Sequence, residues 1–438
     1  MSFSFYRFVY LFLFSLLIIS CSNNDDELNQ EEISSLMGLN SKPNILLVIA
    51  DDMGLDACPS YNIGTIKPNM PHLQNLINNG LQFNNVWSNP TCTPTRAGII
   101  TGKYGFRTGV TKVDDELSTS EISLQKFLDL NTSSLYTHAV IGKWHLSKDN
   151  SHPNNMGIDY YAGTLGGGVR SYTNWTLNIN GNTSSSSEYI TTKLTDLAIN
   201  WVDDQTQPWF LWVAYNAPHT PFHLPPNNLH SQGTLASDQA SIDANPLPYY
   251  MAALEAMDTE MGRLINSLSQ EEKDNTVIIF VGDNGTPNQV VQEYNMRRAK
   301  GSIYQGGVNV PMIVSGKDVS RVNEIENALI NTTDLYATIA DIAGTGTTEI
   351  NDSKSFKSLF TDANGNKRNY IYTENEDYTI RNNTHKYIYF ENGSEALYNL
   401  SESPLETLNL LNANQLPLST ANSTIKDELI SEVQKIRN

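Results

Sequence analysis

Five short apolar runs, separated by stretches of helical composition, constrain the fold of this chain more than any other feature. The runs occupy residues 45–50, 136–141, 209–215, 277–282 and 310–314. A continuous apolar run of this length is typical of a strand that is buried on both faces of a sheet. Helical stretches lie between several of the runs, notably at 188–204 and 249–268. We therefore predict an α/β fold with a large, mostly parallel sheet flanked by helices.

The last part of the chain follows a different pattern. After an irregular stretch, apolar and polar residues alternate in three short segments, as in strands with one exposed face. These segments are 370–373, 386–390 and 396–400. A final helix is predicted at 425–436. We therefore expect a main domain at 43–344 and a smaller C-terminal antiparallel subdomain at 345–438.

Polar side chains stand just past the ends of four apolar runs. In an open α/β sheet, ligands bind outside the carboxyl ends of the strands. Polar groups that are far apart in the sequence are therefore expected to meet at one edge of the sheet. These residues are Asp51, Asp52, Lys143, His145, His219, Asp283 and Asn284.

Two of these strand ends carry paired oxygen donors. Asp51 precedes Asp52, and Asp283 precedes Asn284. Oxygen-only ligand sets suit hard cations such as Ca²⁺ or Mg²⁺, whereas zinc prefers nitrogen and sulfur. A lone Asp-Asp pair is more often a helix cap or turn, and two such pairs favour a cation site only together with the cysteine motif described below.

The charge of the chain excludes one class of partner. Its formal net charge is −19, from 47 acidic and 28 basic residues. Nucleic-acid binding needs a basic surface, so we expect no nucleic-acid partner. A polyanionic substrate would have to be held by a local cluster of positive charge.

The N-terminus resembles an export signal. Arg7 precedes an apolar run at 8–20, which is shorter than the roughly 20 residues that span a bilayer. Residues 18–21 resemble a bacterial lipobox, which predicts a signal peptide at 1–20, a lipid on Cys21 and an acidic tether at 21–42. An ordinary secretory signal is the alternative. We expect an exported lipoprotein of the outer membrane, cell surface or periplasm that contacts the membrane only through this lipid.

One cysteine lies in a recognisable motif. Cys92, Pro94, Arg96, Thr101 and Gly102 form the pattern C-x-P-x-R-x-x-x-x-T-G, which resembles the signature of type I sulfatases. Further segments resemble family motifs in the family's order. They are G-K-W-H-L at 142–146, A-P-H-T-P-F at 217–222, the segment 300–311 and, more weakly, 397–410.

The resemblance implies a modified nucleophile and a metal. A formylglycine-generating maturation enzyme would oxidise Cys92 to an aldehyde, and the hydrated aldehyde would attack sulfur. One Ca²⁺, with Mg²⁺ as the weaker alternative, would be held by four oxygen-bearing side chains and by the modified cysteine. Those ligands are Asp51, Asp52, Asp283, Asn284 and Cys92.

The resemblance also implies roles for the basic residues. Arg96 would help to polarise the attacking hydroxyl, while Lys143 and Lys300 would neutralise sulfate oxygens. His219 would protonate the leaving oxygen and His145 would remove the proton that expels sulfate. The two histidine roles could also be exchanged. Thr95, Gln305, Asn309 and Asn399 depart from the residues common in the family. Thr95 is expected to be tolerated, and the changes at Gln305 and Asn309 are expected to affect packing more than catalysis.

The function predicted from these motifs is hydrolysis of sulfate esters on a sulfated carbohydrate, with algal polysaccharide or its oligosaccharides as the candidate. Three alternatives stay open: a phosphodiester or phosphonate monoester hydrolase of the same fold, a non-catalytic glycan-binding lipoprotein, and a zinc phosphatase.

Two local predictions concern the remaining cysteine and a loop. Cys58 is expected to pack as a small apolar group, and a Cys58–Cys92 disulfide is the alternative. Gly166–Gly168 with the residues around them could form a sugar-facing loop, with aromatic rings for stacking and a cation for a second anion. Those residues are Tyr160, Tyr161, Arg170, Tyr172 and Trp175.

Overall fold

A computed structural model describes residues 42–438. The predicted signal peptide at 1–20, Cys21 and nearly all of the tether at 21–42 lie outside these residues and stay predictions. Within 42–438, no helix combines the length and apolar character needed to cross a membrane.

A ten-stranded sheet forms the centre of the molecule. Its strands are β1 (Asn44–Ala50), β2 (Gly80–Trp87), β3 (Thr137–Lys143), β4 (Tyr160–Thr164), β5 (Trp175–Ile179), β6 (Asn182–Ser186), β7 (Trp209–Ala214), β8 (Thr276–Gly282), β9 (Met312–Gly316) and β10 (Glu324–Asn331). They lie in the order β10-β2-β9-β8-β1-β7-β3-β4-β5-β6. The neighbours β8, β1, β7, β3 and β4 run parallel, which confirms the predicted α/β class.

Helices cover both faces of this sheet. They are α1 (Pro71–Asn78), α2 (Cys92–Thr101), α3 (Gly105–Thr108), α4 (Leu124–Thr132), α5 (His152–Asn155), α6 (Ile190–Asp203), α7 (Gln239–Ala244), α8 (Leu247–Ser267), α9 (Gln270–Asp274), α10 (Gln305–Val308) and α11 (Asp334–Ile342). Short 3-10 turns lie at Leu55–Ala57, Asn227–Leu229, Met296–Arg298, Lys357–Phe360 and Ala413–Gln415.

The central strand β1 shows why a continuous apolar run is required here. Its alternate side chains enter two separate cores: Leu47 packs in the core that includes α2, α4 and α11, and Val48 packs in the core that includes α1, α6 and α8. Both faces of the strand are therefore buried. This burial keeps the carboxyl edge of the sheet rigid.

Two strands differ from the sequence-based expectation. The run at 310–314 does yield β9, but this strand is antiparallel to both β2 and β8. Most of the serine run at 184–187, which has no apolar residue that would predict a strand, lies in β6. This edge strand is held by backbone pairing with β5, which needs no apolar side chains.

The C-terminal region forms the expected antiparallel sheet. After a two-residue pair, β11 (Glu349–Ile350) with β12 (Ser353–Lys354), four strands pair in sequence order. They are β13 (Ile371–Glu374), β14 (Tyr378–Arg381), β15 (His385–Tyr389) and β16 (Glu395–Asn399), and the final helix is α12 (Thr420–Arg437). Leu429 and Val433 of α12 pack against this sheet.

Candidate active site

The carboxyl edge of the sheet brings the predicted site residues together. The register pairs Ala50 of β1 with Gly282 of β8, so the following residues, Asp51 and Asp283, lie side by side. Lys143 is the last residue of β3, on the other side of β7. Because β2 runs in the same direction as β8, with β9 antiparallel between them, α2 also begins at this edge.

Three carboxylates and three cations pair with one another at this edge. All three carboxylates and two of the cations are almost completely buried, while Lys300 is 23% exposed. The pairs are Lys143 with Asp51 (Nζ to Oδ2, 2.6 Å), Lys300 with Asp52 (Nζ to Oδ2, 2.6 Å) and Arg96 with Asp283 (Nη2 to Oδ2, 2.7 Å).

The pairing leaves oxygen atoms without donors. Within the part of the chain that the structure describes, Asp51 Oδ1 and Asn284 Oδ1 are buried and have no hydrogen-bond partner. One ligand atom each from Asp51, Cys92 and Asp283 lie within 4.8 Å of one another, and the same holds for Asp51, Asp52 and His219. A buried carboxylate oxygen without a donor, on a residue that clusters with other carboxylates, fits a hard cation.

The pKa shifts of the two neighbouring aspartates differ in direction. Burial raises the pKa of Asp51 to about 6, although Lys143 opposes the shift. Burial also disfavours ionisation of Asp52, but Lys300, His219 and Lys143 together hold the pKa of Asp52 at about 2. Of these two carboxylates, Asp51 is the one whose charge the protein compensates less, and a bound cation would compensate it.

Cys92 is the first residue of α2, and the whole helix is buried. Burial raises the pKa of the Cys92 thiol, so the encoded side chain is neutral at physiological pH. Arg96 follows one turn later and donates from Nη1 to the carbonyl oxygen of Lys143 at 2.7 Å, besides its bonds to Asp283. These contacts fix the guanidinium beside the helix N-terminus.

His145 directly contacts Cys92. Its Nδ1 lies 3.2 Å from Cys92 Sγ, and its Nε2 lies 2.9 Å from Asp114 Oδ1. Burial, with Lys143 nearby, lowers the pKa of His145 to about 3, so the ring is neutral. Since a carboxylate can only accept, Nε2 carries the proton and Nδ1 faces residue 92 as an acceptor.

His219 lies at the mouth of the site. Its Nδ1 is 2.7 Å from the carbonyl oxygen of Thr220, which only accepts, so Nδ1 carries a proton. Its Nε2 lies 3.7 Å from Asp52 Oδ2, and the side chain is 17% exposed. The two histidines thus occupy different places: His145 is next to Cys92, and His219 is partly exposed.

Two residues that position His145, Asp114 and Gly167, were not identified as such from the sequence. Asp114 lies in a loop with a positive φ of 66°, and its backbone N–H donates to Thr93 Oγ1. An acidic loop residue 31 positions from its histidine carries no local signal. Gly167 is required on steric grounds, because a Cβ there would lie 2.3 Å from the ring of His145. The glycine run was a visible signal, but its contact was not predictable.

The sugar-facing loop is partly wrong as predicted. Tyr161 is fully buried and Tyr172 is 3% exposed, so neither ring can stack on a sugar. The Tyr172 hydroxyl instead donates to the carbonyl oxygens of Asn216 and His219. Tyr172 thereby holds the loop that carries His219. Arg170 is exposed, as expected.

The alternative disulfide is also wrong. Cys58 and Cys92 are both free and buried. Burial raises the pKa of Cys58 to about 11, and its surroundings are the apolar core that includes α1 and α8. Cys58 therefore packs as a small apolar group, and Cys92 remains available for modification.

Comparison with known proteins decides the family. The profile of the sulfatase family matches residues 43–345. This chain belongs to the sulfatase family. An uncharacterized sulfatase of Escherichia coli (strain K12), YdeN, is 29% identical over 361 residues; the match covers 69% of this chain and 62% of YdeN, less than two thirds of its length.

Two further relatives match more of their length. A sulfatase of Formosa agariphila is 26% identical over 478 residues, covering 86% of this chain and 85% of the relative. The crystal structure of Ps i-CgsB in complex with k-i-k-neocarrahexaose superposes with a TM-score of 0.77 at 25% identity, covering 90% of this chain and 92% of that one. The family's fold thus spans both the main sheet and the C-terminal region.

Proposed function

We propose that this protein hydrolyses sulfate esters of a sulfated carbohydrate. The observation that carries the proposal is the surroundings of Cys92: a neutral side chain at a helix N-terminus, His145 in contact with it, and three buried or partly buried cations close by. A helix N-terminus and cations together favour a tetrahedral anion at this place. The match to Ps i-CgsB with k-i-k-neocarrahexaose supports a sulfated carbohydrate as substrate.

The oxygen donors fit one Ca²⁺ better than Mg²⁺, because Ca²⁺ accepts irregular oxygen ligand sets. Asp51, Asp52, Asp283 and Asn284 would hold it, together with the modified residue 92. When bound, the cation supplies Lewis-acid polarisation of an oxygen ligand. The unpartnered oxygen atoms of Asp51 and Asn284 support this assignment.

Residue 92 would act after modification. A maturation enzyme would convert Cys92 to formylglycine, whose hydrate supplies a hydroxyl nucleophile for covalent catalysis. The raised pKa of the buried thiol supports the need for modification, because a neutral thiol is a poor nucleophile. Arg96 would hold the attacking oxygen through its guanidinium, which keeps its charge at all relevant pH values.

The remaining residues would bind the sulfate and move protons. Lys143 and Lys300 would each bind a sulfate oxygen, and their contacts with Asp51 and Asp52 would weaken. His219, the histidine at the mouth, would protonate the departing sugar oxygen through Nε2. His145 would accept a proton at Nδ1 from residue 92, since Asp114 holds its other nitrogen as the donor. The geometry thus favours the original assignment of the two histidines over the exchanged one.

A phosphodiester or phosphonate monoester hydrolase is the second candidate, because a tetrahedral anion of phosphorus would meet the same cations. A non-catalytic glycan-binding role is less favoured, since the residues proposed as ligands and bases lie close together at the carboxyl edge of the sheet. A zinc phosphatase is disfavoured by the oxygen-rich donor set. Export as a surface or periplasmic lipoprotein, anchored through Cys21, remains part of the proposal.

The test measures free sulfate and free phosphate by ion chromatography. Protein co-expressed with a formylglycine-generating enzyme is given carrageenan oligosaccharides, glucosamine 6-sulfate, 4-nitrophenyl sulfate and 4-nitrophenyl phosphate. Cys92→Ala is compared with Cys58→Ala, which changes the other buried cysteine of the described chain, in an apolar core. We expect sulfate release by the wild type and by Cys58→Ala, and loss of at least about 10³-fold in Cys92→Ala. Full activity of Cys92→Ala, or faster release of phosphate than of sulfate, would contradict the proposal.

A further inference from the structure

A cleft of 320 Å³ with a mixed polar and apolar lining lies beside the active site. We call it the β4–β6 cleft, because β4, β5, β6 and the loop at 165–170 provide most of its lining. Arg170, Trp175 and Asn174 are among the lining residues, together with Asn150, Thr164 and Asn178. The site described above uses none of these six side chains.

The cleft and the active site share one wall. The glycine loop that lines the cleft also reaches both histidines: a Cβ at Gly167 would lie 2.3 Å from the His145 ring, and one at Gly168 would lie 3.2 Å from His219 Cε1. Thr164, in the cleft, accepts a hydrogen bond at 3.1 Å from Asn216, whose carbonyl oxygen accepts from the His219 backbone N–H. The cleft and the active site are therefore neighbours across this glycine loop.

The charge of the cleft is opposite to that of the chain. Arg170 is exposed, and it forms no ion pair or side-chain hydrogen bond with any of residues 42–438. Among residues 42–438, no aspartate or glutamate lines the cleft, although the chain as a whole has 47 acidic residues. An arginine without a carboxylate partner, in a cleft without acids, favours an anionic group on the ligand.

The neutral lining suits a sugar ring. Trp175 is 5% exposed, and its Nε1 donates to the carbonyl oxygen of Glu188 at 2.9 Å, which fixes the indole in the wall. Asn178 donates to the carbonyl oxygen of Asn150 and accepts from the Gly181 N–H, so its amide is also fixed. Rigid apolar and amide groups around a few polar contacts are typical of sites for small polar ligands.

We propose that the β4–β6 cleft binds the sugar next to the sulfated one, and that Arg170 binds an anionic substituent of that neighbouring sugar. The substituent is a second sulfate or a uronate carboxylate, both of which accept bidentate hydrogen bonds from a guanidinium. This inference rests on the proposed function. Such a subsite would make the protein selective for densely charged oligosaccharides rather than for isolated sulfated sugars.

The test compares substrates that differ only in the neighbouring sugar. One pair is carrageenan oligosaccharides with one or with two sulfates per disaccharide, which tests a second sulfate. The other pair is N-acetylgalactosamine sulfate and the chondroitin sulfate disaccharide that adds a uronate, which tests a carboxylate. Rates of sulfate release are measured for the wild type, Arg170→Ala and the control Lys435→Ala, which removes the same charge from α12.

We expect Arg170→Ala to lower kcat/KM by about 10- to 100-fold on one of the two substrates whose neighbouring sugar is charged, because a charge-assisted hydrogen bond is lost. Most of this effect should be an increase in KM. For the substrate of the same pair that lacks this charge, kcat/KM of Arg170→Ala should change by less than about twofold. In the control Lys435→Ala, kcat/KM on both substrates should also change by less than about twofold. Three results would contradict the proposed subsite while leaving the sulfatase activity intact. Arg170→Ala could lose kcat/KM equally on both members of a pair, or it could lose none on either member. The wild type could also prefer the members that lack the additional charge. Absence of wild-type sulfate release from all four substrates and from 4-nitrophenyl sulfate would overturn the proposed function and this inference together.

Discussion

Asp51 at the active-site edge and Asp334 at the start of α11 are both buried and both paired with a cation, yet their surroundings differ. Asp334 receives donors on both oxygens: Arg368 Nε at 2.8 Å and the Asn331 N–H at 2.9 Å on Oδ2, and the Lys354 N–H at 2.9 Å on Oδ1. Asp51 has Lys143 on Oδ2, while Oδ1 has no donor among the described residues and lies 3.9 Å from Arg96 Nη2.

The difference separates a structural ion pair from a candidate ligand site. Both oxygen atoms of Asp334 have hydrogen-bond donors from the protein itself, so this carboxylate needs no ligand. Its ion pair with Arg368 connects the C-terminal segment to α11. A buried carboxylate oxygen without a donor is costly, so it persists where a ligand completes it. Burial and an ion pair alone would not have distinguished the two residues.

The largest expected effect comes from Asp51→Ala. Activity should fall by about 10³-fold or more, because a ligand of the cation is removed. Calcium added after chelation should raise the melting temperature of the wild type and leave that of the variant unchanged. Sulfate release and thermal melts with and without calcium test this. Retention of the calcium-dependent shift would show that Asp51 is not a metal ligand.

Asp334→Ala should have the opposite profile. Removing one partner of this buried pair should lower the free energy of unfolding by about 3 kcal/mol. The folded fraction should keep its kcat and its calcium-dependent shift, because Asp334 lies outside the site. Urea denaturation and kinetics below the transition measure both quantities. Loss of kcat in fully folded Asp334→Ala would remove the contrast with Asp51.

His219→Ala should affect poor leaving groups most. Sugar alkoxides need a proton as they depart, whereas 4-nitrophenolate does not, so we expect about 10²-fold loss on a sugar sulfate and much less on 4-nitrophenyl sulfate. His145→Ala should slow both substrates, since it acts on residue 92. A uniform loss in His219→Ala would instead support the exchanged assignment of the two histidines.

Asp114→Asn should have the smallest effect. The variant keeps the shape of the side chain but loses the charged acceptor of His145 Nε2, and we expect about a tenfold decrease in kcat with KM unchanged. Asp129→Asn is the matched control, because Asp129 contacts His138 at 3.3 Å outside the site. Equal activity of the two variants would show that Asp114 does not orient His145.

Hydrophobic pattern was enough to predict the central strands and the edge at which the polar residues meet. β1 and β8 are buried on both faces, and their ends must then lie together. The antiparallel direction of β9 and the edge strand β6 were not predictable, because backbone pairing rather than side-chain pattern determines them. Asp114, the burial of Tyr172 and the unpartnered Asp51 oxygen depend on contacts between distant loops, which sequence spacing does not encode.

The most direct test of the account relates the chemical state of residue 92 to turnover. Preparations made with graded amounts of the formylglycine-generating enzyme are digested, and mass spectrometry of the peptide containing residue 92 gives the fraction of aldehyde and of thiol. Sulfate release from the best glycan substrate is measured on the same samples. The account predicts that turnover rises in proportion to the aldehyde fraction and vanishes for the pure thiol. Full turnover by protein that contains only the Cys92 thiol would contradict it.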